Sequence, residues 1–184
     1  MGKEVMVTKS VWSSRFIIAA IAQGLLATLL TAYFVLGQTF GFLVPAFSRV
    51  IAAGGAGMWF TVGYLSYLIV GVVSMAVTAL FYQHIEVTLQ KPYKGITNIL
   101  AWIHLILMNV GVVGATWLMV YGGYIAGGGM LPAAVGGKGW DAGKAHEFLA
   151  PLVPPITIFI AILAIGVLLG GLGYVMSWLR KERK

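Results

Sequence analysis

The chain has 184 residues, of which 60% are apolar and 9% are charged, and its mean hydropathy is +0.94. Soluble domains carry about 25% charged residues, so this composition excludes an ordinary water-soluble fold and predicts an integral membrane protein. The absence of cysteine excludes disulfides, thiolate metal sites and cysteine nucleophiles. The net charge of +7 comes from short segments between apolar runs, which indicates membrane topology and argues against nucleic-acid binding.

The first half of the chain contains two apolar runs long enough to cross a bilayer, which takes roughly 20 helical residues for a core of about 30 Å. The first run, 16–36, is longer than the apolar core of a secretory signal and is predicted to be a retained helix. The glycine-containing segment 37–57 is predicted to be a linker with a short helix. The second span covers 58–82, and its helix is expected to continue until Pro92 stops it.

The second half contains two further spans. The third, 98–126, has no formal charge and is predicted to end at a run of three glycines. The fourth, 152–179, opens with prolines, which a first helical turn tolerates. Between them, 127–150 is predicted to be an unusually long loop of unassigned role. Its metal-ligating side chains have a weak spacing signal, and an ordinary polar loop is the preferred interpretation for Asp141, His146 and Glu147.

Four spans predict an all-α membrane bundle with both termini on one side, and the basic residues indicate that this side is the cytoplasm of the cell membrane. The two outer connections hold only Arg49, Lys138 and Lys144. Tryptophan and tyrosine residues cluster at both predicted membrane boundaries, which agrees with this topology. The two termini and the second connection hold the other basic residues, namely Lys3, Lys9, Arg15, Lys91, Lys94, Arg180, Lys181, Arg183 and Lys184.

Small residues recur at helical spacing within each span and are candidates for helix packing. Such seams let backbones approach closely in lipid, where apolar side chains gain little by leaving the acyl chains. Two alternatives remain open: the four helices pack on one another, or some of the seams dock on another subunit. The glycines proposed for packing are Gly24, Gly71, Gly111, Gly114, Gly122, Gly166, Gly170 and Gly173.

His104 is the candidate cofactor-binding residue, because it places an imidazole inside the third span, where polar groups need a partner. It is either a haem axial ligand or a histidine satisfied by a neighbouring amide such as Asn109 or by a hydroxyl such as Ser74 or Thr78. The default expectation is that this chain alone binds no cofactor.

A second haem ligand for His104 would have to be His84 or His146. His146 belongs to the loop, and His84 lies about 10 Å or more from the depth of His104 along its helix, so a bis-histidine haem is geometrically poor. His84, Glu86 and Gln90 are instead predicted to form a solvated helix end.

The segment from Trp102 to Gly114, Trp-Ile-His-Leu-Ile-Leu-Met-Asn-Val-Gly-Val-Val-Gly, is followed by Tyr-Gly-Gly-Tyr at 121–124. It resembles the histidine-bearing, glycine-rich helices of the haem–copper terminal oxidase superfamily, especially small membrane proteins that accompany archaeal oxidases. The likeness covers about one span. It implies an accessory subunit, because the closely spaced histidine pair of the catalytic subunit has no counterpart here. Only His104 matches, and its role in that superfamily is haem ligation.

These observations lead to the hypothesis of a non-catalytic membrane subunit of a respiratory complex, in the first place a terminal oxidase, with other membrane subunits and lipid as partners. The alternatives are a small membrane cytochrome or quinone-binding protein that uses His104, and an independent small transporter or channel. No serine–histidine–aspartate set and no phosphate-binding Gly-Lys motif appears, and the five acidic residues are predicted to lie outside the spans.

Overall fold

The computed structural model describes residues 9–180, which are helical and contain no strand. Four stretches are long and apolar enough to cross a membrane: Val11–Thr39, Gly57–Thr88, Ile96–Met130 and Ala142–Leu179. The all-α, four-span prediction is therefore confirmed. The helices are α1 Val11–Thr39, α2 Phe47–Ala52, α3 Gly57–Thr88, α4 Ile96–Met130, α5 Ala142–Leu149 and α6 Val153–Leu179.

The long helices alternate in direction and pack in chain order, with α1 on α3, α3 on α4, and α4 on α6. One end of the bundle, called here the terminal end, carries the start of α1, the connection 89–95 and the end of α6. It is tied by Lys91 Nζ, which donates to the Trp178 carbonyl at 2.6 Å, and by Arg180, which donates to the Pro92 carbonyl at 2.8 Å. The opposite end, called the loop end, carries 40–56 and 131–152.

The start of α1 is capped from within and from a neighbouring helix. The Ser10 side chain accepts from the Ser13 backbone N–H at 2.9 Å, as an N-cap serine does. Glu86 near the end of α3 accepts from the Trp12 backbone N–H at 3.0 Å and from the Ser10 hydroxyl. Glu86 is only 4% exposed, so its assignment to a solvated helix end, outside the spans, was wrong. A carboxylate at a helix N-terminus is favoured by unpaired amides and by the helix dipole.

The helix α3 contains two π-helical segments, Tyr67–Val73 and His84–Thr88. Extra residues of this kind rotate the following side chains relative to a regular helix and occur often at functional positions. The first segment carries the fully buried Tyr67. The expected continuation of the second span beyond Tyr82 is confirmed, and the helix ends at Thr88.

The third span is longer than predicted, because α4 continues through the three glycines to Met130. These glycines permit close packing. A Cβ at Gly127 would lie 2.7 Å from the Gly57 Cα, one at Gly128 would lie 2.9 Å from Pro45, and one at Gly129 would overlap the Trp140 ring. A glycine run that ends a helix and one that packs it closely look alike in sequence.

The segment 127–150 contains the helix α5, so the prediction that this segment is a loop was only partly correct. Asp141 is its N-cap and accepts from the Lys144 backbone N–H at 2.8 Å. Its apolar residues Ala145 and Leu149 are buried against Ala126 of α4. The predicted short helix in 37–57 is α2.

Candidate functional site

His104 lies inside the bundle near the terminal end, where α1, α3 and α6 meet α4. Its ring is 7% exposed, and Nδ1 is 3.1 Å from the Tyr82 hydroxyl of α3. The Phe16 ring of α1 lies 5.1 Å away, centroid to centroid. The α6 backbone passes so close at Gly170 that a Cβ there would overlap the imidazole. His104 is therefore a packed side chain with one hydrogen-bond partner.

The hydrogen-bond partner of His104 differs from the candidates that the sequence offered. Ser74 bonds the Ile69 carbonyl of its own helix at 3.0 Å, and Asn109 is engaged elsewhere. The interpretation of Asn109, Ser74 or Thr78 as the partner was therefore wrong. Tyr82 takes this role, although sequence patterning placed it in the aromatic belt of the membrane boundary. Its ring also stacks on Phe16, with centroids 4.8 Å apart.

A haem ligand needs a free ring nitrogen and space for the macrocycle beside it. The bond from Nδ1 of His104 to Tyr82 would leave Nε2 for a haem iron, but Phe16 and the α6 backbone at Gly170 close around the ring and take the space that the macrocycle needs. His84 and His146 are both exposed on the surface. The residues present thus do not fit a haem at His104 in this packing.

A second polar cluster lies deeper along the helices and joins three of them. The Gln23 side chain of α1 donates to the Asn109 Oδ1 of α4 at 2.8 Å, and the Tyr67 hydroxyl of α3 donates to the Gln23 Oε1 at 2.6 Å. Asn109 in turn donates to the Leu105 carbonyl at 2.7 Å. Polar groups in lipid need such partners, and this cluster supplies them without an ionisable carboxylate or amine.

The sequence identified Gln23 and Asn109 only as the polar exceptions of their spans and did not pair them. Their pairing follows from the contact of α1 with α4 near the terminal end, which periodicity does not specify. The third member, Tyr67, is the first residue of the π-helical segment, and no residue in the sequence marks that segment.

The rings that surround the His104 site continue to the connection 89–95. Tyr93 packs on Tyr82 with centroids 4.9 Å apart and is buried. Burial and, secondarily, the nearby Glu86 carboxylate raise the pKa of Tyr93, so its phenol stays protonated at neutral pH.

Most of the proposed packing glycines of α4 and α6 lie where these two helices touch, and each of them faces a side chain of the other helix. A Cβ at Gly111 would lie 2.7 Å from the Leu163 Cβ, and one at Gly166 would lie 2.9 Å from the Leu107 Cβ. Gly24 and Gly71 face Val72 and the ring of Tyr67 respectively. The remaining glycines of the set oppose side chains of the facing helix or of the segment before it, in the pairs Gly114 with Phe159, Gly122 with Leu152, Gly170 with His104, and Gly173 with Leu100.

Within residues 9–180, no three His, Asp or Glu side chains lie close enough to hold a metal ion together. Asp141 caps α5 through its carboxylate, and His146 and Glu147 lie on the exposed surface of that helix. The arrangement that the described residues form is one of helix-bridging hydrogen bonds.

No known protein family, no curated protein and no solved structure matches this chain. Its function is therefore inferred from its own residues.

Proposed function

We propose that the chain is a non-catalytic integral membrane subunit of a multi-subunit respiratory complex, in the first place a terminal oxidase. It holds other membrane subunits through the outward surface of its helices. The observation that carries the proposal is the exposure of the fourth span. In its most apolar 18-residue stretch, only 11% of the residues are buried within the chain. A helix held on one side by a single neighbour offers the rest of its surface to lipid or to another protein.

The outward surface of α6 has a regular pattern. Exposed apolar side chains recur on one face at intervals of three, four or seven residues, which is the spacing of knobs-into-holes packing between helices. Gly166, Gly170 and Gly173 of α6 face α4, so they are not free to form this contact. We call this surface the α6 stripe; it consists of Ile158, Ile165, Leu168, Leu172, Val175 and Leu179.

The proposal includes the topology, with both termini in the cytoplasm of the cell membrane. The terminal end holds Lys9, Arg15, Lys91, Lys94 and Arg180 among the described residues, whereas basic residues are fewer in the connections of the loop end. The tails 1–8 and 181–184, which carry further basic residues, lie outside the described residues.

The test is purification of the tagged full-length chain from native membranes in mild detergent. We expect it to migrate with a large assembly whose haem spectrum and oxygen consumption identify a terminal oxidase. Migration as a free small oligomer would overturn the proposal and favour an independent transporter or channel. A Soret band from the separated, folded chain would instead support the cytochrome alternative.

A pair of variants tests whether the α6 stripe makes the contact. Leu168→Trp should release the chain from the assembly, because a larger side chain does not fit a complementary groove. Val167→Trp is the matched control, since Val167 is also exposed but belongs to another face of the same helix. Equal retention of both variants would exclude the α6 stripe as the contact surface.

A further inference from the structure

A groove runs along the membrane-facing surface between α1 and α4, starting at the terminal end. It has a volume of about 490 Å³ and is lined mainly by apolar side chains, among them Ala19 and Ala22 of α1 and Leu105 of α4. Arg15 lines it as the only charged residue. The small side chains of the two alanines leave this volume unfilled, and the groove opens toward lipid.

Arg15 is held in position by aromatic rings. Its guanidinium lies 4.4 Å from the Trp12 ring centroid and 4.4 Å from the Trp102 ring centroid. The two indoles meet edge to face, with centroids 5.2 Å apart. Trp12 is itself fixed, because its indole N–H donates to the Asn98 side chain at 3.2 Å. The cation is therefore oriented before any ligand arrives.

The N–H donors of Arg15 have no acceptor among the described residues, and no carboxylate there pairs with it. Two other cations of the terminal end differ, because Lys91 and Arg180 each donate to a backbone carbonyl. An arginine presents five N–H groups in a planar fork that matches a phosphate. At a membrane boundary, the phosphates available at this depth are those of lipid headgroups.

The far part of the groove favours a hydrocarbon chain over a polar ligand. Asn109 lines it, but its carboxamide oxygen already accepts from Gln23, and its amino group donates to the Leu105 carbonyl and, at 3.9 Å, to the Met75 sulfur. A quinone carbonyl would find no free donor there. From Arg15 to Ala22 the rise along α1 is about 10 Å, which suits the upper part of an acyl chain.

We propose that the groove between α1 and α4 binds one anionic phospholipid, with its phosphate on Arg15 and one acyl chain against Ala19 and Ala22. This site is independent of the proposed function, because it needs no other subunit.

The test is native mass spectrometry of the full-length chain, titrated with phosphatidylglycerol or with phosphatidylcholine of the same acyl chains. We expect one phosphatidylglycerol to bind at least about tenfold more tightly, since the choline cation offsets the phosphate charge. Arg15→Gln should weaken phosphatidylglycerol binding by roughly tenfold, as expected for a lost charged hydrogen bond. Lys94→Gln removes an exposed charge of the same end outside the groove and should change binding by less than about twofold. Equal losses in both variants would mean diffuse attraction and would overturn the site.

A second pair of variants tests the acyl-chain part while leaving Arg15 in place. Ala22→Phe fills the groove and should weaken binding several-fold, whereas Ala32→Phe, in the separate groove between α1 and α3, should not. No difference between them would overturn the proposal. So would displacement of the lipid by an equal concentration of glycerol phosphate, which lacks the acyl chain.

The groove must also be open in native membranes. A photoreactive phenylalanine derivative in place of Ile106, which lines the groove, should form an adduct with lipid. An adduct with another polypeptide would show that a protein helix occupies the groove and would overturn the lipid assignment. These readouts follow lipid binding alone, so they can fail or succeed whether or not the chain travels with an oxidase.

Discussion

His104 is the residue whose surroundings the sequence predicts least well. An imidazole in an apolar span suggests a ligand, yet the bond to Tyr82 and the approach of Gly170 give it a packing role. The sequence shows the histidine, but the partner depends on how α3 and α6 are rotated toward α4. That rotation depends on glycines and on a π-helical segment that hydrophobic periodicity does not specify.

Gly170→Ala should destabilise the protein by about 1–3 kcal/mol, because the added methyl group overlaps the His104 ring and forces α6 away from α4. The measurement is thermal or denaturant-induced unfolding in detergent. Gly171→Ala is the matched control, since a Cβ there meets nothing within 4 Å. The control should be neutral or slightly stabilising, because alanine favours the helix by up to about 1 kcal/mol over glycine. Equal effects of the two substitutions would contradict the close contact of α6 with His104.

At the scale of elements, the beginning of α1 depends on a carboxylate from another helix. Glu86→Ala should leave the Trp12 backbone N–H unpaired in a buried place and cost about 1–3 kcal/mol. The loss should concentrate at the terminal end, with faster amide hydrogen exchange in the first turns of α1. Glu147→Ala, which removes an exposed carboxylate from α5, is the control and should leave that exchange unchanged. Unchanged exchange in the Glu86 variant would show that this cap contributes little.

The sequence predicted the four spans well because their length and apolar character are properties of single segments. The fourth span shows this best, since the prediction of 152–179 and the helix Val153–Leu179 nearly coincide. Errors occurred where two segments meet. The glycines at 127–129 were assigned to a loop because their close neighbours, Gly57, Pro45 and Trp140, are far away in the sequence. Glu86 was placed in solvent for the same reason, since Ser10 and Trp12 cover it from another helix.

At the scale of the whole molecule, packing in chain order leaves the bundle open. The glycines of α4 and α6 that were proposed for packing lie against the other of these two helices or against the segment before α6. The alternatives of self-packing and docking therefore apply to two different surfaces of α6. Its glycine face belongs to the chain itself, and its outward stripe is available to others. The helix α1 is likewise exposed on much of its surface, including the groove that begins at Arg15.

The orientation of this open bundle in the membrane can be tested directly, because the chain has no cysteine of its own. A cysteine is introduced at Lys94 in one variant and at Lys138 in another. The two positions lie in connections at opposite ends of the bundle. Neither lysine donates a side-chain hydrogen bond within the described part of the chain. We expect the Lys138→Cys variant to react with a membrane-impermeant maleimide in intact cells, and the Lys94→Cys variant to react only after permeabilisation. The physical reason is that basic segments are retained on the cytoplasmic side during insertion, and the terminal end carries more of them. The reverse pattern would place both termini outside, and labelling of both cysteines in intact cells would contradict a four-span bundle with fixed orientation.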